Sequence, residues 1–175
     1  MKFDITNWIE TGSIAPLQWG DSGNEIIKLF PKSSKIIKQA KQIGCPFISL
    51  DFVELYFDDD YFLGLNEIII RPFTLHKDDR HKFFDPGWLS KNLTFDMVSK
   101  KLTSKGVQWE ISRGPDFNTP NIVTGAEVLL AFEPYRTEDS LATLQKIYIF
   151  KNGLSSNPGY LAAGNKALPK SGADT

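Results

Sequence analysis

Four groupings of side chains in this sequence are of types that could hold a metal, move a proton or attack a substrate. The densest is acidic: Asp51, Glu54, Asp58, Asp59 and Asp60. A divalent cation needs several oxygens converging on one point. Adjacent aspartates at a hairpin tip diverge, and the glycine spacing of a calcium loop is absent. The default reading is a solvated turn; the functional one is a negative patch that steers a basic partner. His76-x-Asp78-Asp79-x-His81 supplies ligand types at short spacing. Two histidines five apart share neither a helix face nor alternate strand positions, and Lys77, Arg80 and Lys82 repel a cation, so a loop is expected. Glu67, Glu127, Glu133 and Asp139 are scattered at strand ends, without a pattern that would place two carboxyls in one pocket for acid–base work. Cys45 precedes Pro46 with no histidine close in sequence, which reads as a structural cysteine. No catalytic set emerges, and neither a metal nor a cofactor is expected.

Motifs with a built-in mechanism are missing too. The chain has no GxxxxGK[ST], no GxGxxG after a strand, no GxSxG and no HExxH. Gly20-Asp21-Ser22-Gly23 reads as a turn before a helix. Twenty Lys+Arg against twenty-one Asp+Glu give a net charge of −1, so no overall field invites nucleic acid or an acidic membrane. Lys32, Lys35, Lys38 and Lys41 recur every third residue without interleaved aromatics, which suits a solvated face better than a nucleic-acid groove. One cysteine excludes an intrachain disulfide and points to a reducing compartment. With no apolar leader and no run long enough to span a bilayer, a soluble cytoplasmic protein is expected.

The elements that must position these groups can be read in turn. A chain of 175 residues suits one domain that buries about 70% of its unfolded surface. Asp4 is placed to cap a helix with Ile5, Trp8 and Ile9 on one face, stopped by Gly12. Asp21 or Ser22 caps a second helix, with Glu25 set for a capping box and Pro31 at its end. Phe47, Ile48 and Leu50 then read as a strand, Val53, Leu55 and Phe57 as another, and Leu65 to Phe73 as a third. Thr94 caps a helix through Leu102, and Gly106 stops it. Val107, Trp109 and Ile111 alternate with Gln108 and Glu110, a loop runs from Arg113 to Pro120, and strands follow at 128–132 and 144–150. The stretch 153–175, with nine Gly, Ser and Pro among twenty-three residues, reads as a flexible or loosely docked tail with Tyr160 and Leu161 as its anchors.

Val53-x-Leu55-x-Phe57 matches Val128-x-Leu130-x-Phe132, and Leu65-x-x-Ile68-x-Ile70 matches Leu144-x-x-Ile147-x-Ile149. The expected fold is therefore α+β, a single domain over 1–152. Two tandem helix-plus-three-strand units, about 13–75 and 90–152, would share a mainly antiparallel sheet with helices on one face. Tyr56, Trp109 and Tyr148 fall opposite the core-facing series, where aromatics either pair across strands or serve recognition. A sheet covered on both sides would leave them no such role.

Trp8-Ile9, Leu17-x-Trp19-Gly20-Asp21-Ser22, Glu25-Ile26-Ile27-x-Leu29-x-Pro31, Val53-Glu54-Leu55-Tyr56-Phe57 and Leu65-x-x-Ile68-x-Ile70 together carry a resemblance. Over residues 8 to 73 the chain resembles small bacterial immunity proteins encoded with polymorphic toxins, among them those of contact-dependent growth inhibition systems. Phe30 stands where that pattern has a glycine, and the segment between Pro31 and Cys45 is long. The tandem plan is also similar to that of the secreted β-lactamase inhibitor proteins, which grip an enzyme with a concave sheet. The resemblance implies a protein without catalysis that binds a cognate toxin domain, a basic nuclease in many such pairs, and blocks its active site or substrate surface. The expected anchors are Tyr56, Trp109 and Tyr148, with Glu54, Asp58, Asp59 and Asp60 steering the encounter. The alternative is a module that takes a small ligand or an extended peptide on the sheet face or edge.

Overall fold

In the computed structural model, residues 2–30, 47–58, 64–75, 83–113, 120–133 and 139–156 are described. Cys45, the lysines from 32 to 41, Asp59, Asp60, the His76–His81 segment, Tyr160 and Leu161 lie outside them.

Among the described residues three α-helices form, each where the sequence supplies a cap. Asp4 accepts from the backbone N–H of Asn7 at 3.0 Å and opens α1 (Ile5–Thr11), which Gly12 closes in the left-handed region at φ 72°. A side chain at Gly12 would also press on the carbonyl of Ala126, at 3.2 Å from an added Cβ. Ser22 opens α2 (Gly23–Lys28) through the anticipated capping box: its hydroxyl accepts from Glu25 N, and Glu25 accepts from Ser22 N at 2.8 Å. Thr94 caps α3 (Phe95–Ser104) by accepting from Met97 N. Each such cap is worth about 1 kcal/mol.

Nine strands are present among the described residues: β1 (Phe3–Asp4), β2 (Phe47–Leu50), β3 (Val53–Phe57), β4 (Leu65–Ile70), β5 (Phe84–Asp85), β6 (Trp109–Arg113), β7 (Pro120–Thr124), β8 (Leu129–Glu133) and β9 (Thr143–Phe150). β1 and β5 make a small parallel pair. The other seven form one antiparallel sheet in the order β2-β3-β4-β9-β8-β7-β6. Two meanders, β2–β4 and β6–β9, are thus joined through β4 and β9. The class is α+β.

The second meander has four strands where three were expected. β7 lies in and beyond the stretch read as loop, and all five of its residues are buried. It therefore lacks the in–out alternation by which a half-buried strand is recognised. Its Asn121 has a structural task. β8 shifts register between Ala131 and Phe132, and the Asn121 side chain accepts from Phe132 N at 3.3 Å at that irregularity. β4 stops at Ile70 rather than Phe73 because Pro72 has no N–H for a ladder; a 3-10 turn, Pro72–Thr74, follows.

One face of the sheet carries the main core. Ile5, Trp8 and Ile9 of α1, Ile26 of α2, and Val98 and Leu102 of α3 join Leu55, Ile68, Leu130 and Ile147 in a single apolar cluster. Trp8 is fully buried, edge-on to Phe3 and Phe84, with its indole N–H donating to the Ala15 carbonyl at 3.1 Å. A second, smaller cluster holds Val123, Leu129, Phe150 and Leu154, with Tyr148 packed against it. Among the described residues no α-helix contributes to it.

Candidate interaction face

In an antiparallel ladder, directly opposed residues point to the same side. The pairings string one row across all seven strands: Ser49, Glu54, Ile69, Tyr148, Leu129, Val123, Glu110. A shorter parallel row holds Phe47, Tyr56, Glu67 and Phe150. Leu129, Val123 and Phe150 belong to the second cluster, so both rows lie on the face without helices.

Tyr56 and Tyr148 both stand on this face, as their positions opposite the core series require. Tyr56 stacks on Phe47 at 5.2 Å, and Tyr148 on Phe150 at 6.1 Å. Trp109 does not join them. It pairs with the buried Thr124, its ring lies edge-on to Phe95 of α3, and its indole N–H donates to Thr103 at 3.1 Å. Its alternation with Gln108 and Glu110 already assigned it to the Ile111 side, which is the helix-covered one. The expected trio of aromatics on a common face is thus a pair.

The charges near these tyrosines are largely matched within the chain. Glu54 meets Arg71 at 3.0 Å, and its side chain is only 12% exposed. It also accepts from the Tyr56 hydroxyl at 3.2 Å. Half-burial, together with the neighbouring Glu54 charge and this hydrogen bond, pushes the Tyr56 pKa up to about 12. Tyr56 therefore remains a neutral donor at ordinary pH. Glu54, neutralised and largely covered, positions Tyr56 and contributes little long-range field. Asp58 is more open; it accepts from Asn66 at 2.7 Å and faces Lys151 at 3.8 Å.

Nor is the face bare across its width. After β9 the chain turns at Gly153 (φ 74°) into a 3-10 turn, Leu154–Ser156, which lays Leu154 on the second cluster with 2% of its surface left exposed. Glu127 secures the turn by accepting from Ser155 N and Oγ at 3.4 and 3.2 Å. The expected boundary of the tail at 153 therefore falls within a docked segment, and Leu154 is an anchor that its Gly-Ser surroundings concealed. The expectation of a wholly uncovered side fails for the β7–β9 half.

A shallow cleft of about 190 Å³ lies at the end of the tyrosine rows, lined by Asp58, Asn66, Glu67, Lys151, Asn152 and Ser156. It is smaller than the roughly 300–1,000 Å³ usual for organic ligands. Among the described residues no three of His, Cys, Asp and Glu gather as a metal site, and no helix is long and apolar enough to cross a membrane. Comparison with family models, curated proteins and solved structures gives no match to this chain.

Proposed function

We propose that this chain is an immunity-type protein of the cytoplasm, which binds a cognate toxin domain and blocks its active site or substrate surface by occlusion. The observation that carries the reading is the row from Glu54 to Glu110, continuous over the helix-free face, with Tyr148 at its middle between Ile69 and Leu129. A half-buried aromatic set among apolar neighbours and ringed by polar groups suits the anchor of a tight protein contact. Of the two described members of the steering patch, Glu54 is paired with Arg71 and largely covered, and Asp58 at the rim is the open one.

The reading extends to the architecture. Ile68 pairs with Ile149, Ile70 with Ile147, and Ile69 with Tyr148. Matching Leu65-x-x-Ile68-x-Ile70 to Leu144-x-x-Ile147-x-Ile149 turns the first pair into the second and the third into itself. A local two-fold relation between units 13–75 and 90–152 produces such a register, and supports two related units meeting at Ile69 and Tyr148.

A second reading rests on the other end of the sheet. Among the described residues β6 has a neighbour on one side only, and Ile111 is 47% exposed on it, which suits an extended peptide adding as a further strand. Copurification with the polypeptide encoded by the adjacent reading frame, followed by binding measurements on variants, separates the two. Tyr148→Ala is expected to weaken binding about thirtyfold, as for an anchor worth about 2 kcal/mol. Unchanged binding by Tyr148→Ala with loss on Ile111→Asp moves the site to the edge. Absence of any complex removes the immunity reading.

A further inference from the structure

We infer that Arg71 and Lys146 form a binding site for an oxyanion on the helix-free face. The inference stands apart from the docking reading and needs no protein partner. Arg71 follows β4, its backbone N–H tied to the Phe52 carbonyl at 2.8 Å. Its Nη1 lies 3.0 Å from Glu54, and Nη2 reaches Ser49 Oγ only at 3.5 Å. Nε is shut off from solvent and has no acceptor among the described residues. A buried N–H left unpaired costs about 1–3 kcal/mol, and native proteins usually meet such a group with a water or an ion.

Glu54 is already divided between Arg71 and Tyr56. The next cation is Lys146. Ile70 pairs with Ile147, so Arg71 and Lys146 sit one residue beyond that pair on neighbouring strands. Both fall on the helix-free side, two residues from Ile69 and Tyr148 respectively. Lys146 is exposed, and its ammonium has no hydrogen bond or ion pair among the described residues. The two cations thus flank a donor without an acceptor, while Glu133, the other carboxylate on this side of the sheet near Lys146, accepts from Gln145 at 3.1 Å. Side by side across a strand pair, like charges repel until an anion lies between them.

The chemistry that fits is a small oxyanion, phosphate or carboxylate, accepting from Arg71 Nε and Lys146 Nζ in charge-assisted bonds. Nε is closed in the free protein, so binding requires side-chain motion. Lys146 is unrestrained, and the 3.5 Å contact to Ser49 is at the limit of a hydrogen bond.

The test uses the full chain and two probes, inorganic phosphate and acetate, each against sodium chloride of equal ionic strength. The Arg71 Nε–H resonance is followed by NMR through each titration. A saturable shift that chloride does not produce is expected, with apparent affinity at least tenfold weaker in Lys146→Ala. Arg71→Lys keeps the charge but removes the Nε–H, and is expected to abolish saturable stabilisation by the anion in thermal unfolding. Saturation by phosphate alone names a phosphate site, and saturation by both names general oxyanion chemistry. An Nε–H that moves no more than with chloride, or equal affinity in Lys146→Ala, overturns the site; the lysine variant decides even if Arg71→Lys does not fold.

Discussion

The two halves of the helix-free face meet water on different terms. On β2–β4 the outward residues other than Ile69 are polar or aromatic, and Glu54, Arg71, Tyr56 and Ser49 are linked in a single cluster. On β7–β9 the central ones are apolar, and the chain folds Leu154 back over Val123, Leu129 and Phe150. A wide sheet with helices on one side needs cover on the other wherever its outward residues are apolar. Here one half carries a patch of its own chain, and the other keeps a mixed polar and aromatic surface. Tyr148 lies at the junction, opposite Ile69 on one side and Leu129 on the other.

Removing the cover is the most disruptive way to break this contrast. Leu154→Ala is expected to cost about 2–4 kcal/mol, the range for deleting a buried leucine, read as a lower urea midpoint at unchanged slope. A change below about 0.5 kcal/mol would make the turn an ornament on a face that is stable without it. Glu54→Gln tests the other half. It leaves a half-buried guanidinium without its carboxylate, for about 1–3 kcal/mol, less than for a fully buried pair because Arg71 keeps 27% exposure.

The same variant sharpens the contrast through pH. Tyr56 holds its proton to about pH 12 when folded, but loses it near 10 when unfolded. Its share of stability is therefore complete below pH 10 and drains away as pH rises to about 12. Glu54→Gln is expected to bring the tyrosinate absorbance step of Tyr56 down from about 12 and to narrow that window; a step that stays near 12 removes Glu54 as a cause and leaves burial as the main one. The smallest effect belongs to the rim. Asp58→Asn loosens an exposed pair whose partners are 3.8 Å apart, for less than about 0.5 kcal/mol, while slowing association with a basic partner at low salt.

What the sequence disclosed and what it hid divide along physical lines. Asp4, Ser22 and Thr94 were legible as caps because capping is a matter of three or four adjacent residues. β3 and β9 were legible because each buries one side and so alternates. β7 was not, being buried at every position, nor was the two-residue β1–β5 pair, which depends on a contact between Phe3 and Phe84. At the candidate site, Tyr56 and Tyr148 followed from alternation. Trp109 was grouped with them as an aromatic, against its own periodicity. Arg71 went unnoticed because its partners, Glu54 and Ser49, are brought to it by the pairing of three strands. Leu154 was hidden by a composition that usually marks slack chain.

The junction of the sheet also bears on how the chain reaches its native state. Residues 67–70 meet 147–150, whereas the pairings within each meander join strands close in sequence. Closing so long an intervening loop carries an entropic penalty that local hairpins escape. The two meanders can therefore organise early and separately, while the seam between Ile68 and Ile149 sets the pace of the last step. Until that seam closes, β4 and β9 each have an unpaired edge, and it is in this interval that the young chain is most exposed to pairing with a neighbour.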